Sequence, residues 1–284
     1  MGNLLMHSLL ELDEILLELA RRLAPRSILE IGSESGGFTK LLYEHCRATS
    51  AELSTVEPSP APAIVELALS SSMFHLFVDK SHPHLIEHGC RADLVFIDGD
   101  HNWWTVYGEL ALINRSWTER GSFGTIVLHD VGWPCARRDA YYDPSAIPSD
   151  ALHPHTWTGG VRPDDPGIVE GGFRGEGAFA WAMTEGGPCN GVLTAVEDFM
   201  ADNSGWTFQS IDAVFGLGFL TREGSREEAI VREIVAPYQN VLVSRLERNR
   251  LDNYLRVIEL QDELAGARQR LETERLPRFA QVAP

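Results

Sequence analysis

Two short stretches hold the side chains that could do chemistry. Asp98-Gly99-Asp100-His101 follows the apolar run Leu94-Val95-Phe96-Ile97, and His129-Asp130 follows Thr125-Ile126-Val127-Leu128. Runs of this length and character read as buried parallel strands. Neighbouring strands lie ~4.8 Å apart, so if these two pair, their ends bring His and Asp groups to one mouth. Asp98, His101 and Asp130 there make either a metal site or an acid/base cluster. Past the second mouth come Trp133, Arg137, Arg138, Tyr141 and Tyr142. The arginines suit an anionic or hydroxyl-rich acceptor, and the flat aromatics suit a sugar-like or polyketide-like one.

Those groups need a frame, and it begins at Ser27-Ile28-Leu29-Glu30-Ile31-Gly32-Ser33-Glu34-Ser35-Gly36-Gly37-Phe38. Ile28, Leu29 and Ile31 read as a buried strand, and Phe38, Leu41 and Leu42 recur at helical spacing after a glycine turn. This is the first unit of an open α/β sheet, whose ligands bind beyond the carboxyl ends of the strands. The turn lacks the middle glycine of G-x-G-x-x-G, which disfavours a pyrophosphate and so an NAD-dependent oxidoreductase. Glu30 and Glu34, with no basic residue in the loop, suit instead a ligand bearing an ammonium and a sulfonium. Glu57 ends a weaker strand 25 residues beyond Gly32; its two oxygens can accept from both hydroxyls of a ribose. Asp79 or Ser81, after a third strand over residues 73–78, could meet an adenine amine, although helix capping explains them equally well. A valine at position 32 is expected to block ligand entry by filling the space the backbone leaves.

Glu30-x-Gly32-x-x-x-Gly36 resembles the first motif of the class I S-adenosylmethionine-dependent methyltransferases. Ile97-Asp98-Gly99-Asp100-His101 with Leu128-His129-Asp130-Val131 looks like their macrocin- and mycinamicin-type sugar O-methyltransferase branch, to which cephalosporin hydroxylase-like proteins are related. The resemblance spans residues 26–135. It implies S-adenosylmethionine held at Glu30, Gly32, Ser33, Gly36, Phe38, Glu57, Asp79, Ser81 and Asp98. It implies magnesium on Asp98 and Asp130, and His101 as general base. Metal-binding members usually carry Glu before the second acid. Here the residue is His129, and imidazole as third ligand suits manganese, zinc or iron better than magnesium. The implied activity is O-methylation of a sugar or natural-product hydroxyl. The alternatives are N-methylation of an amino sugar or small amine, and a non-catalytic S-adenosylmethionine-binding partner protein.

The remaining sequence sets limits. The chain has 284 residues and a net charge of −17, which argues against a nucleic-acid partner. Cys46, Cys90, Cys135 and Cys189 include no C-x-x-C pair, which fits a reduced cytoplasmic setting, and no apolar run reaches membrane-spanning length. Leu5, Leu9, Leu12, Leu16, Leu19 and Leu23 predict an amphipathic helix from Leu4 to Leu23, closed by Pro25. Residues 131–188, rich in Pro, Gly, His and aromatics, read as a lid or substrate loop. A helix over 190–200 and strands over 206–211 and 213–220, joined at Asp212, would supply the terminal antiparallel hairpin of the class I methyltransferase sheet. From Arg226 to Leu276, Leu242, Leu246, Leu251, Leu255, Ile258 and Leu264 form the seam of a long helix broken or bent near Pro237, with a frayed tail after Pro277. The seam either packs back on its own subunit or makes a homodimer, and the second reading is favoured. The expected architecture is α/β: a Rossmann-like sheet with helices on both faces and a C-terminal helical extension. The expected division is a methyltransferase domain over 1–224 and an extension over 225–284.

Overall fold

The computed structural model describes residues 8–279, with side chains to residue 273. A 3-10 turn at Leu9–Leu12, opened by the Ser8 hydroxyl accepting from the Leu10 amide, leads into α1 (Asp13–Leu23). The N-terminal helix is thus shorter than its leucine spacing predicts, and Leu4 and Leu5 lie outside the described residues. Strands and helices then alternate: β1 (Ser27–Ile31), α2 (Gly37–Thr49), β2 (Glu52–Val56), α3 (Pro62–Ser70), β3 (Phe74–Phe77), α4 (Ser81–His88), β4 (Leu94–Ile97), α5 (Trp103–Arg120) and β5 (Thr125–His129). Short strands follow at β6 (Ala140–Tyr141), β7 (His155–Thr156), β8 (Gly160–Arg162), β9 (Asp165–Val169) and β10 (Ala180–Ala182). The chain closes with α6 (Val192–Asp202), β11 (Trp206–Ile211), β12 (Leu217–Arg222), α7 (Arg226–Val235) and α8 (Val241–Phe279).

The main sheet has seven strands in the order β11-β12-β5-β4-β1-β2-β3. Strands β1 to β5 run parallel, β12 opposes β5, and β11 opposes β12. The expected Rossmann-like sheet with its terminal hairpin is therefore present. Alternate residues feed two cores. Ile28, Leu53, Phe96 and Val127 face α1, α2 and α7, whereas Leu29, Ile31, Val95, Ile97, Ile126 and Leu128 face α5 and α6. Register matters most for the site: Ile31 pairs with Ile97, and Ile97 with Leu128. Gly32, Asp98 and His129 consequently leave the sheet side by side at its carboxyl edge.

The structure bears on three expectations about the second half. Residues 131–188 carry short strands: β6, β10 and β7 make one small sheet, β8 and β9 another, and Tyr141, Val161 and Trp181 are buried among them. Beyond the expected boundary at 225, Ile230, Val231, Ile234 and Val235 of α7 lie in the same core as α1 and the sheet. Residues 213–216 are a turn rather than the start of a strand, with Val214 at φ 50° and Phe215 at φ 63°. The proximal part of α8 packs back on its own subunit. Leu251 and Leu255 are buried, Tyr254 lies edge-on to Phe173 and Phe215, and Arg174 pairs with Asp262 at 2.7 Å. Among the described residues, no helix is long and apolar enough to cross a membrane.

Glu109 of α5 is wholly buried, and that burial pushes its carboxyl up to about 8. Between the ordinary carboxylate value and pH 8, the unfolded chain gives up this proton while the folded chain keeps it. Stability must therefore fall as pH rises through that window. Glu109→Gln should raise the melting temperature at pH 8.5 by about 5 °C, with little change at pH 4.5, in thermal denaturation at the two pH values. An equal shift at both values would remove the titration from the explanation.

Candidate active site

The turn after β1 is shaped by close approach. Gly32 has φ +87°, and a Cβ there would lie 2.2 Å from the Asp98 carbonyl oxygen and 2.7 Å from Gly99 Cα. The expected effect of a valine is accordingly corrected: it would strike the neighbouring strand end and part β1 from β4, rather than stand in a ligand's space. Gly36, at φ +79°, caps α2, and its amide closes the turn on the Ser33 carbonyl at 2.6 Å. Glu57 reaches across from the end of β2. One of its oxygens accepts from the Ser33 amide at 2.9 Å, and the other from the Ser59 amide at 2.9 Å. The oxygen bonded to the Ser33 amide also takes the Ser33 hydroxyl at 3.4 Å, and the other keeps a second lone pair.

Glu30, Gly32, Glu34, Phe38 and Asp98 line a small cavity that Leu10 closes from the N-terminal side. Glu30 differs from the expectation in its charge. It is buried, accepts from Thr39 Oγ1 at 3.1 Å and Thr55 Oγ1 at 2.8 Å, and burial pushes it up to about 8. At pH 7 it is mostly neutral, so exposed Glu34 and ionised Asp98 carry the negative charge of the cavity. Phe38 is buried edge-on to Phe96, with ring centroids 5.1 Å apart. Asp79 and Ser81 stand farther out, past the edge strand β3. Asp79 accepts from the Lys80 amide, and Ser81 opens α4.

Beside this cavity four side chains from two strand ends converge. His129 Nδ1 is 3.1 Å from Asp98 Oδ1 and 3.1 Å from Asp130 Oδ2. His101 Nε2 is 3.1 Å from Asp130 Oδ2 and 3.5 Å from Asp98 Oδ1. Burial would lower His101, but Asp130 and Asp98 outweigh it and raise the ring to about 9. The same two acids hold His129 well above its ordinary value against its burial. Burial opposes the charge on Asp98 too, yet the two imidazoles bring it down to about 2. Asn102 steadies the loop carrying His101 by capping α5, its side chain accepting from the Thr105 amide at 2.9 Å. The Ala140 amide donates to the His101 carbonyl at 3.0 Å and ties the inserted segment to that loop.

The chemistry of the donor set fits a divalent cation. Asp98, His129 and Asp130 each offer a ligand atom, all within 4.8 Å of one another. His129 Nε2 lies 2.9 Å from the Val214 carbonyl, which can only accept, so that nitrogen carries the hydrogen. A cation in place of the second ring proton would meet the lone pair on Nδ1, which faces both carboxylates, and a backbone carbonyl behind a ligating imidazole is the usual arrangement at metal sites.

The substrate residues expected beyond Asp130 divide. Tyr142 is half-exposed, its ring 5.8 Å from His101 and 5.7 Å from Phe179, so it stands at the mouth. Trp133 packs toward Phe173 with centroids 6.3 Å apart. Arg138 and Tyr141 do not reach the mouth. Arg138 is fully buried and donates to the Ala182, Pro166 and Gly167 carbonyls, while Tyr141 donates to Asp139 Oδ2 at 2.7 Å. Arg137 is taken by a forked pair with Glu197. These three brace the inserted segment. Sequence reasoning missed Asp139, whose Oδ1 accepts from the Trp103 and Gly191 amides at 2.7 Å each and joins α5, the insertion and α6. Its only trace in the sequence is an acid two residues before a tyrosine.

Residues 29–131 match the model of a family described as a methyltransferase domain. No curated protein matches the sequence. Similar solved structures include the S-adenosylhomocysteine-bound methyltransferase PaMTH1 of Podospora anserina, at 17% identity, 75% of this chain, 78% of that one and TM-score 0.44. Another is the O-methyltransferase TomG of Streptomyces achromogenes, at 18% identity, 74% and 79% coverage and TM-score 0.43. Cofactor-bound Rv0187 from MTB is similar at 17% identity, 76% and 81% coverage and TM-score 0.45.

Proposed function

We propose that this chain, whose residues 29–131 match the model of a methyltransferase domain, moves a methyl group from S-adenosylmethionine to a hydroxyl of a small acceptor, a sugar or a natural product. One observation carries the reading: Asp98 both lines the acidic cavity at the glycine turn and faces His101 and His129. A donor bearing an ammonium and a sulfonium and an acceptor oxygen beside His101 would meet at that carboxylate. The sulfonium is an activated alkyl donor, so the main task of the protein is alignment, which can supply ~7–11 kcal/mol. Glu57 offers its free lone pair to a ribose hydroxyl. His101 Nε2 would be the base for the acceptor hydroxyl, a role worth roughly 10²–10⁴ in rate, once a cation on Asp98 and Asp130 takes up the negative charge that otherwise keeps the ring protonated. A divalent cation held by Asp98, Asp130 and His129 would orient that hydroxyl and lower its pKa. Magnesium is the metal of the resembling branch, whereas an imidazole ligand favours manganese, zinc or iron. Tyr142 and Trp133 flank the acceptor.

Four unpaired thiols fit a reduced, cytoplasmic setting. The distal part of α8 suits a second copy of the chain, since Val257, Leu260, Leu264, Ala267 and Leu271 recur at alternating spacings of three and four. Leu260, Leu264 and Leu271 are exposed. Leu264→Glu should turn a dimer into a monomer in analytical ultracentrifugation, and unchanged sedimentation would remove this helix from the interface. The reading of the site is tested by calorimetry with S-adenosylhomocysteine and with NAD, followed by turnover of a panel of glycosides and aglycones with and without chelator. S-adenosylhomocysteine binding with chelator-sensitive methylation is expected. Binding of NAD alone would end the proposal.

A further inference from the structure

The turn between β11 and β12 holds two bulky residues in the left-handed region, Val214 at φ 50° and Phe215 at φ 63°. For a β-branched residue this is a costly conformation, of order 1–3 kcal/mol, kept only where the surroundings enforce it. The enforcing group is Glu247 of α8. It is 8% exposed, and its two oxygens accept from the Val214 and Phe215 amides at 3.1 Å each. Arg250 grips the same carboxylate from the other side through Nε at 2.6 Å and Nη2 at 2.7 Å, and its guanidinium lies 4.4 Å from the Phe215 ring centroid.

The far side of the turn faces the strand end that bears His129 and Asp130. Val214 accepts from His129 Nε2 at 2.9 Å, Phe215 accepts from the Gly132 amide at 2.6 Å, and Gly216 accepts from the Val131 amide at 3.4 Å. Gly216 and Gly132 come so close that a Cβ on Gly216 would lie 2.3 Å from the Gly132 nitrogen. Asp130 shares the unusual backbone, at φ 59°. Glu247 thus fixes the turn, and the turn fixes both the hydrogen on His129 Nε2 and the path of the chain through Asp130.

We propose that Glu247 is a positioning residue for the His129–Asp130 cation site, so that α8 sets the metal affinity of a site none of whose ligands it touches. This rests on the reading of Asp98, His129 and Asp130 as metal ligands, and the test separates the two. Glu247→Gln keeps the size of the side chain but turns one acceptor into a donor facing a backbone N–H. Co²⁺ affinity, measured by calorimetry on the full chain, should fall about 10-fold, the lower end for residues behind the ligands of a metal. S-adenosylhomocysteine affinity should stay as in the wild type. Val214→Gly in the Glu247→Gln background, where glycine accepts φ 50° without strain, should restore most of the Co²⁺ affinity. Equal Co²⁺ affinity in wild type and Glu247→Gln, alongside its loss in Asp130→Asn, would overturn the role of Glu247 and leave the metal reading standing. Should the wild type take no Co²⁺, the metal reading falls, and the positioning role is decided by the ring N–H resonance of His129. Loss or broadening of that resonance in Glu247→Gln supports the role, and its persistence overturns it. Should Glu247→Gln fail to fold, the same comparison is made with Arg250→Gln, which frees the Glu247 carboxylate from its clamp: an unchanged affinity or ring resonance there overturns the role, and a weakened one supports it.

Discussion

Asp130→Asn should lower methyl transfer about 10²–10³-fold while leaving S-adenosylhomocysteine affinity intact, and Asp98→Asn should lower both. The difference follows from where the two acids stand. Asp98 lines the cavity at the glycine turn and also faces His129 and His101, whereas Asp130 faces the two imidazoles from outside that lining. Asparagine preserves the size of each side chain but removes a charge that the raised His129 and His101 show to be strongly felt. Turnover with saturating donor, together with calorimetric titration of S-adenosylhomocysteine, measures both quantities on the same preparations. Wild-type turnover in Asp130→Asn would remove the cation site from the chemistry. Intact S-adenosylhomocysteine affinity in Asp98→Asn would place the donor elsewhere than over this strand end.

What the sequence disclosed about this site depended on distance along the chain. The strand ends were legible because each is one uninterrupted apolar run followed at once by its polar residues, and parallel pairing then leaves little freedom in where Asp98 and His129 emerge. Local pattern likewise marked Gly32, although its reason proved to be the neighbouring carbonyl of Asp98 rather than room for a ligand. The charge of Glu30 was not legible, because its neutrality comes from burial in the folded chain, which outweighs the hydrogen bonds from Thr39 and Thr55, 9 and 25 residues away, that favour the charged form. Arg138 and Tyr141 misled for the same reason. A cation and a phenol beside a site look like substrate ligands until tertiary structure supplies backbone carbonyls and Asp139 as their partners. Val214 and Phe215 read as strand formers, and the carboxylate that accepts from both their amides in the turn, Glu247, lies more than thirty residues downstream.

His101→Ala gives the second large effect, and its size should depend on the acceptor. A sugar hydroxyl is a poor nucleophile at neutral pH, and losing the base should cost roughly 10²–10⁴ in rate. An amine acceptor, free in part as the neutral base, needs no such help and should lose little. The geometry gives the residue few other duties. Its Nε2 faces Asp130 and Asp98, its carbonyl pairs with Ala140 in the variant as in the wild type, and Asn102 still caps α5. The loss should therefore fall on the rate at saturating acceptor rather than on donor binding. A panel of hydroxyl and amine acceptors run against wild type and variant reads this directly. Equal small losses on every acceptor would make His101 a structural counter-ion to Asp130, and a loss confined to hydroxyls would mark it as the group that takes the proton.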